Sequence, residues 1–348
     1  MRFGKLRRFL LAAAAVSAVS AVQAGDISGA GATFPYPIYA KWADAYKTLT
    51  GVGLNYQSIG SGGGIKQIKA KTVTFGASDM PLKPDDLKSA GLLQFPMIIG
   101  GVVPVVNIKG IAPGSLLLDG PTIASIYLGD IAKWDDPRIK KLNPKLNLPS
   151  MAIAPVYRSD GSGTNFLFSD YLSKESPSFK DKIGANTSVQ WPVGIGAKGN
   201  EGVANMTTQT DGAIGYVEYA YAKQNKMTYV LLTNKAGKAI SPNAESFQAA
   251  AASADWAGSD SYYIILTDQD GAASWPITGA SFILVYRQPE DPVPVGEALK
   301  FFAWAYKDGG KLAADLDYVP LPAALVAQVK KTWTTGISAG GHAIWSEK

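Results

Sequence analysis

At 348 residues, with no Cys and a single His (His342), the chain has material for two cores but no disulfides to lean on, and most His- or Cys-dependent metal and nucleophile chemistry is excluded. Of its formal net charge of +5, four positives, Arg2, Lys5, Arg7 and Arg8, stand at the N-terminus, so the remainder carries only +1. A nearly neutral body removes the electrostatic case for a nucleic-acid partner.

Taken in chain order, the basic start is followed by an apolar run from Phe9 to Val22, and Val22-Gln23-Ala24 places small side chains where a signal peptidase reads. That predicts a secretory signal peptide over residues 1–24, a mature chain from Gly25 and a periplasmic address. The run is short for a bilayer span, and no Cys near the cut offers a lipid attachment point. No later segment reaches transmembrane length without charge or turn residues.

Gly29-Ala30-Gly31-Ala32-Thr33-Phe34-Pro35 leads into a helix marked by Ile38, Trp42, Tyr46 and Leu49 and stopped by Gly51. A Gly-rich turn before a helix leaves backbone N–H groups free at the positive end of the dipole, which suits an anion and equally suits an ordinary capped start. Leu54 to Ile59 alternates as a strand. Gly60-Ser61-Gly62-Gly63-Gly64 then precedes the helical Ile65 and Ile68; so many glycines weaken a helix unless something approaches the backbone closely, and Ser61 is either a plain cap or a ligand donor. Val73 to Ala77 is strand-like again.

Met97 to Asn107, with Gly100-Gly101 inside it, and Ser281 to Tyr286 are apolar, β-branched runs suited to crossing between lobes. Two crossings give a discontinuous first domain, residues 25–100 plus 282–348, and a second domain over 101–281. Arg138, Lys140, Lys141 and Lys145 read as a solvated face. Ile153 to Tyr157 reads as a strand, followed by Arg158-Ser159-Asp160-Gly161-Ser162-Gly163-Thr164 and a helix through Asn165, Phe166, Phe168 and Tyr171. An Arg at a strand end beside a Ser-Gly-Thr helix start gathers a planar cation and several neutral donors, with Asp160 placed to hold the guanidinium; a surface salt bridge is the plainer alternative. Strands alternating with helices predict an α/β architecture with mainly parallel sheets. There is no internal repeat, and Gly336 to Gly341 reads as a loosely held tail. No Walker A loop occurs. The lone Gly-x-Ser-x-Gly, Gly336 to Gly340, lacks the flanking strand and helix of a nucleophile elbow.

The ordered series GAGATFPYPIYAKWADAY, IGSGGGIKQIKAKTVTFGASDMPL, QFPMIIGGVVPVVN, GDIAKWDDPRI, DGSGTNF and GAIGYVEYAYAKQN resembles the periplasmic phosphate-binding proteins of Pst-type ABC transporters, the PstS family. The resemblance implies a bilobal α/β fold of the type II periplasmic-binding class that closes on one phosphate, with two hinge strands. It implies that Thr33, Phe34, Ser61 and Asp79 contact the ligand from one lobe and Arg158, Ser162, Gly163 and Thr164 from the other. It also implies an inner-membrane permease with its cytoplasmic ATPase as partners, a monomer when free, no cofactor, no metal and no catalytic residue. Gly62 stands where some relatives carry Ser, Tyr157 and Ser159 flank Arg158 with unfamiliar side chains, and Ser259 to Asp270 and the tail beyond Trp333 are individual.

Asp79 facing an anion needs a reason, and phosphate supplies one: near neutral pH it keeps a proton to donate, whereas sulfate does not. Its structural alternative is a cap for the turn before Pro81. Two competing functions remain. A secreted phosphatase would need metal ligands or an activated nucleophile, and a binding protein for sulfate or molybdate would have no use for Asp79 as an acceptor.

Overall fold

The structure, a computed structural model, describes residues 26–346 apart from 253 and 257, so the signal peptide expected from the sequence lies outside the described residues. The first half runs β1 (Ile27–Gly31), α1 (Tyr36–Thr50), β2 (Leu54–Ser58), α2 (Ser61–Lys69), β3 (Phe75–Ser78), α3 (Pro84–Ala90), β4 (Leu92–Val106), β5 (Leu117–Leu118), α4 (Gly120–Leu128), α5 (Pro137–Leu142), β6 (Ala154–Arg158), α6 (Gly163–Glu175) and α7 (Pro177–Lys182). The second continues with β7 (Ile195–Ala197), α8 (Gly199–Gln209), β8 (Ala213–Glu218), α9 (Tyr219–Gln224), β9 (Thr228–Tyr229), β10 (Leu231–Thr233), β11 (Ala239–Ile240), α10 (Ala244–Ala252), β12 (Thr278–Tyr286), α11 (Pro292–Asp308), α12 (Gly310–Ala314), α13 (Ala323–Gly336) and a closing hairpin, β13 (Ser338–Ala339) with β14 (His342–Ala343).

The apolar spacing read from the sequence is what these elements bury. On α1, Ile38, Tyr39, Trp42 and Tyr46 face inward, and Gly51, at φ 76°, closes the helix by returning its N–H to the Lys47 carbonyl. Removing one such side chain from water stabilises the fold by about 1.5–3 kcal/mol. Among the described residues, nine strands join one sheet, ordered β2-β1-β3-β12-β4-β8-β6-β7 with β9 beside β4. β1 pairs in parallel with β2 and β3, and β6 in parallel with β7 and β8, as βαβ units require. The expectation of mainly parallel sheets fails at the centre: β12 is antiparallel to β3 and β4, and β4 to β8, because the chain crosses between lobes in opposite directions.

β4 is the bridge between the two lobes of this α/β fold. Its first part pairs with β12, and Val102–Val106 then pairs with β8. Where the pairing changes over, Gly100 lies opposite Gly279. A Cβ on Gly100 would stand 2.9 Å from the Phe34 ring, so glycine here lets the Thr33–Phe34 turn pack directly on the crossing strand.

The tail is not loose. Ile337 is fully buried, Ser338 donates its N–H to the Arg287 carbonyl, Ile344 donates to Ile337, and Trp345 packs edge-on against Trp333. The glycines that suggested mobility form a two-stranded hairpin instead. Arg138, Lys140, Lys141 and Lys145 are exposed, and Arg138 pairs with Asp136.

Candidate anion-binding site

All eight site residues expected from the sequence lie at the C-terminal ends of parallel strands or at the helix starts that follow them, where open α/β sheets leave a crevice. Thr33 and Phe34 link β1 to α1, Ser61 opens α2, and Asp79 follows β3. Arg158 ends β6, Ser162 caps α6 by accepting from Asn165 N at 3.0 Å, and Gly163 and Thr164 are its first residues. The two sets come from different lobes and meet. Gly163 N donates to Ser61 Oγ at 3.0 Å, Gly62 N donates to the Gly161 carbonyl at 2.9 Å, and a Cβ on Gly163 would stand 2.5 Å from Asp79 Oδ2 and from Ser61 Oγ. Asn200 Nδ2 donates to Thr33 Oγ1 at 2.6 Å and to Thr164 Oγ1 at 3.2 Å, so one amide ties both walls.

Each hydroxyl in the site is turned into a donor. Ser61 Oγ accepts from Asp79 N and Gly163 N, Thr33 Oγ1 from Asn200 Nδ2 and N, Thr164 Oγ1 from Asn200 Nδ2, and Ser162 Oγ from Asn165 N. Ser61 and Thr33 accept two N–H groups each and Ser162 and Thr164 one each, so the hydrogen of every one of these hydroxyls is left for another acceptor. Arg158 is buried and forks onto Asp160, Nε to Oδ1 at 2.8 Å and Nη2 to Oδ2 at 2.6 Å, while its Nη1 is buried without a partner. Tyr216 Oη accepts from Arg158 N at 3.0 Å and donates to Asn165 Oδ1 at 2.6 Å, which fixes the strand end to the start of α6. The result is a buried cluster of oriented donors around one cation.

The two nearby aspartates are in opposite states. Burial works against the charge of Asp160, but the hydrogen bonds and charge of Arg158 outweigh it and hold the carboxyl below its usual range. Asp79 is buried, and neither carboxyl oxygen has a partner. Burial pushes its pKa up to about 7, opposed by the Ser281 hydroxyl, the Arg158 charge and the Ser61 hydroxyl. Ser281 lies close enough to matter electrostatically, yet no hydrogen bond of normal geometry joins it to Asp79. A cap for the turn before Pro81 would engage the carboxylate, so that reading of Asp79 falls.

Sequence reasoning missed Asn200, Tyr221, Tyr318 and Glu218. Tyr221 Oη donates to the Thr33 carbonyl at 2.6 Å and Tyr318 Oη to the Phe34 carbonyl at 2.6 Å, and Glu218 N donates to Asn200 Oδ1 at 2.8 Å. Glu218, Tyr219 and Tyr221 stand inside the quoted GAIGYVEYAYAKQN segment, which was the available signal. Among the described residues no group of His, Cys, Asp and Glu is arranged to hold a metal, and no helix is long and apolar enough to cross a membrane.

Two lobes closing over buried donors, a cation and an unpartnered carboxyl define the class of solute-binding proteins. Residues 16–308 match the family model of the PBP superfamily domain. The chain is 52% identical over 340 residues to the phosphate-binding protein PstS of Pasteurella multocida, covering 97% of this chain and 99% of that one. It is 53% identical over 313 residues to that of Haemophilus influenzae, covering 90% and 94%. Among solved structures, a high-affinity periplasmic phosphate-binding protein, PfluDING, shares the fold with a TM-score of 0.71 at 20% identity, over 91% of this chain and 96% of that one. The chain belongs to the PstS family of phosphate-binding proteins, a family of binding proteins and not of enzymes.

Proposed function

We propose that this chain captures inorganic phosphate between its two lobes and delivers it to an inner-membrane ABC permease driven by a cytoplasmic ATPase. The observation that carries the reading is the pairing of opposites in one buried site: oriented hydroxyl donors and a free Arg158 Nη1 beside the unpartnered Asp79 carboxyl. The donors and the guanidinium suit an anion. Asp79 suits only an anion that still carries a hydrogen, because a fully ionised one would face a lone-pair clash and like charge.

In this reading Thr33, Ser61, Ser162 and Thr164 donate hydroxyl hydrogens, Phe34 donates its backbone N–H, Gly163, whose own N–H is given to Ser61 Oγ, aims that hydroxyl at the ligand, Arg158 supplies the cation, and Asp79 accepts the phosphate proton. The lobes are residues 25–100 with 282–348, and residues 101–281, turning about the Gly100 and Gly279 crossings. Residues 1–24 direct export to the periplasm, where the free protein is a monomer. Calorimetric titration of the mature protein tests the reading: phosphate should bind with one site per chain and sulfate far more weakly. Equal binding of the two would remove the role of Asp79, and no phosphate binding would remove the function.

A further inference from the structure

Glu218 ends β8 in the lobe that carries Arg158, and its side chain is fully buried. Its Oε2 lies 2.8 Å from Tyr318 Oη and accepts from Ala220 N at 2.9 Å, whereas Oε1 has no partner. Tyr318 follows α12 in the other lobe, stands edge-on to the Phe34 ring, and brings the same Oη to 2.6 Å from the Phe34 carbonyl. A phenol has one hydrogen. Here two acceptors, a carbonyl and a carboxyl, lie within bonding distance of it. With an ionised Glu218 one of those contacts would set two acceptors face to face in a buried place.

We infer that Glu218 carries a proton in this arrangement and donates it to Tyr318 Oη, leaving the phenol hydrogen for the Phe34 carbonyl. The relay Glu218–Tyr318–Phe34 is then a latch across the lobes that holds the Thr33–Phe34 turn in position. Burial raises the Glu218 carboxyl well above its ordinary range, and the charge of Asp79 pushes the same way, against its contacts with Tyr318 Oη and the Ala220 N–H. The titratable groups around it are Tyr318, Asp79, Tyr219 and Tyr221, none of them a cation that would favour the ionised form. Tyr221 makes the instructive contrast. Its Oη also meets two acceptors, the Thr33 carbonyl and, at 3.1 Å, Glu201 Oε1, but Glu201 is exposed and water can make up the missing hydrogen.

The latch deepens the phosphate reading and rests on it, because the turn it fixes is one wall of that site. Glu218→Gln supplies an amide N–H in place of the acid hydrogen and cannot ionise, so it should keep phosphate affinity within about threefold of wild type. Glu218→Leu, which keeps the bulk but not the donor, should lose on the order of tenfold, and Tyr318→Phe should lose a similar factor without adding to it in the double variant. Difference infrared spectra between wild type and Glu218→Gln, both in an Asp79→Asn background, should show the C=O band of a protonated carboxylic acid at neutral pH. A Gln variant as weak as the Leu variant, or no acid band, would overturn the latch. Wild type that binds no phosphate would overturn the phosphate reading instead, and the band, read on the unliganded protein, would still decide the state of Glu218.

Discussion

Under the proposed function the two walls of the site do different work. The wall from the second lobe, β6 and the start of α6, brings a full positive charge whose position is fixed by its own counter-ion, since two nitrogens of Arg158 are spent on Asp160 and one remains. The wall from the first lobe brings hydroxyls at a turn and a helix start, and one carboxyl that nothing in the protein satisfies. Charge attracts any anion, so the second lobe supplies strength with little discrimination. An acceptor rejects any anion lacking a hydrogen, so the first lobe supplies selectivity at some loss of attraction. Separating the two roles lets a site be both tight and choosy.

The largest effect should come from the charged wall. Arg158→Ala removes the partner of a desolvated anion and strands Asp160, at a cost of about 2–5 kcal/mol, or roughly 30- to 4,000-fold in phosphate affinity by calorimetry. Arg158→Lys should recover only part of it, because an ammonium cannot fork onto Asp160 while a third donor faces the ligand. Lys140→Ala, on the exposed basic face, should change affinity little. Equal losses for Arg158→Ala and Lys140→Ala would place the site elsewhere.

Asp79 tests the other wall, with an effect on selectivity larger than on affinity. Asp79→Asn should narrow the phosphate-over-sulfate gap, since an amide can turn N–H toward a fully ionised oxygen. In the wild type, sulfate needs a proton on Asp79. With a pKa of about 7, weak sulfate binding should be level on the acid side of neutrality and fall roughly tenfold per pH unit above it. The Asn variant should lose that slope. Stability should respond with matching sign. A carboxyl whose pKa is raised on folding costs the fold increasingly as pH climbs from its ordinary value of 3.8 to about 7. The thermal stability of Asp79→Asn relative to wild type should therefore grow across that range and then level off. A gap independent of pH would mean that Asp79 is already engaged in the protein.

Much of this contrast was legible in the sequence, and the illegible part has one physical cause. Gly-rich turns before Ile38 and Ile65, and Arg158 two residues from Asp160, announce themselves because the residues that cooperate are neighbours in the chain. Asn200 reaches Thr33 across 167 positions and Tyr318 reaches Glu218 across 100, so no local pattern marks either pair. The tail misled for the same reason. Its glycines are local, whereas the contact of Trp345 with Trp333 and the bond from Ser338 to Arg287 are made only by folding. The expectation of mainly parallel sheets missed the antiparallel centre because alternation with helices is a local rule, and the return of β12 beside β4 is not.

The smallest effect sharpens the comparison by asking what limits the meeting of the walls. Where the lobes touch, Gly62 and Gly161 pass so closely that a Cβ on Gly62 would stand 3.1 Å from Gly161 Cα. That is tight but not forbidden, and a shift of a few tenths of an ångström relieves it. On Gly163 the same atom would stand 2.5 Å from Ser61 Oγ, inside the site itself. Gly62→Ala should therefore weaken phosphate by no more than about threefold, and Gly163→Ala by far more, because the latter both obstructs closure and displaces a ligand donor. Small-angle scattering separates the two causes. Wild type should become more compact with phosphate and not with sulfate, since only an anion held by both walls favours the closed state. Gly62→Ala should reach the same compact form at slightly higher phosphate. If it stays extended at saturation, the contact between Gly62 and Gly161 governs closure, and the division of labour between the walls depends on their packing as well as on their charges.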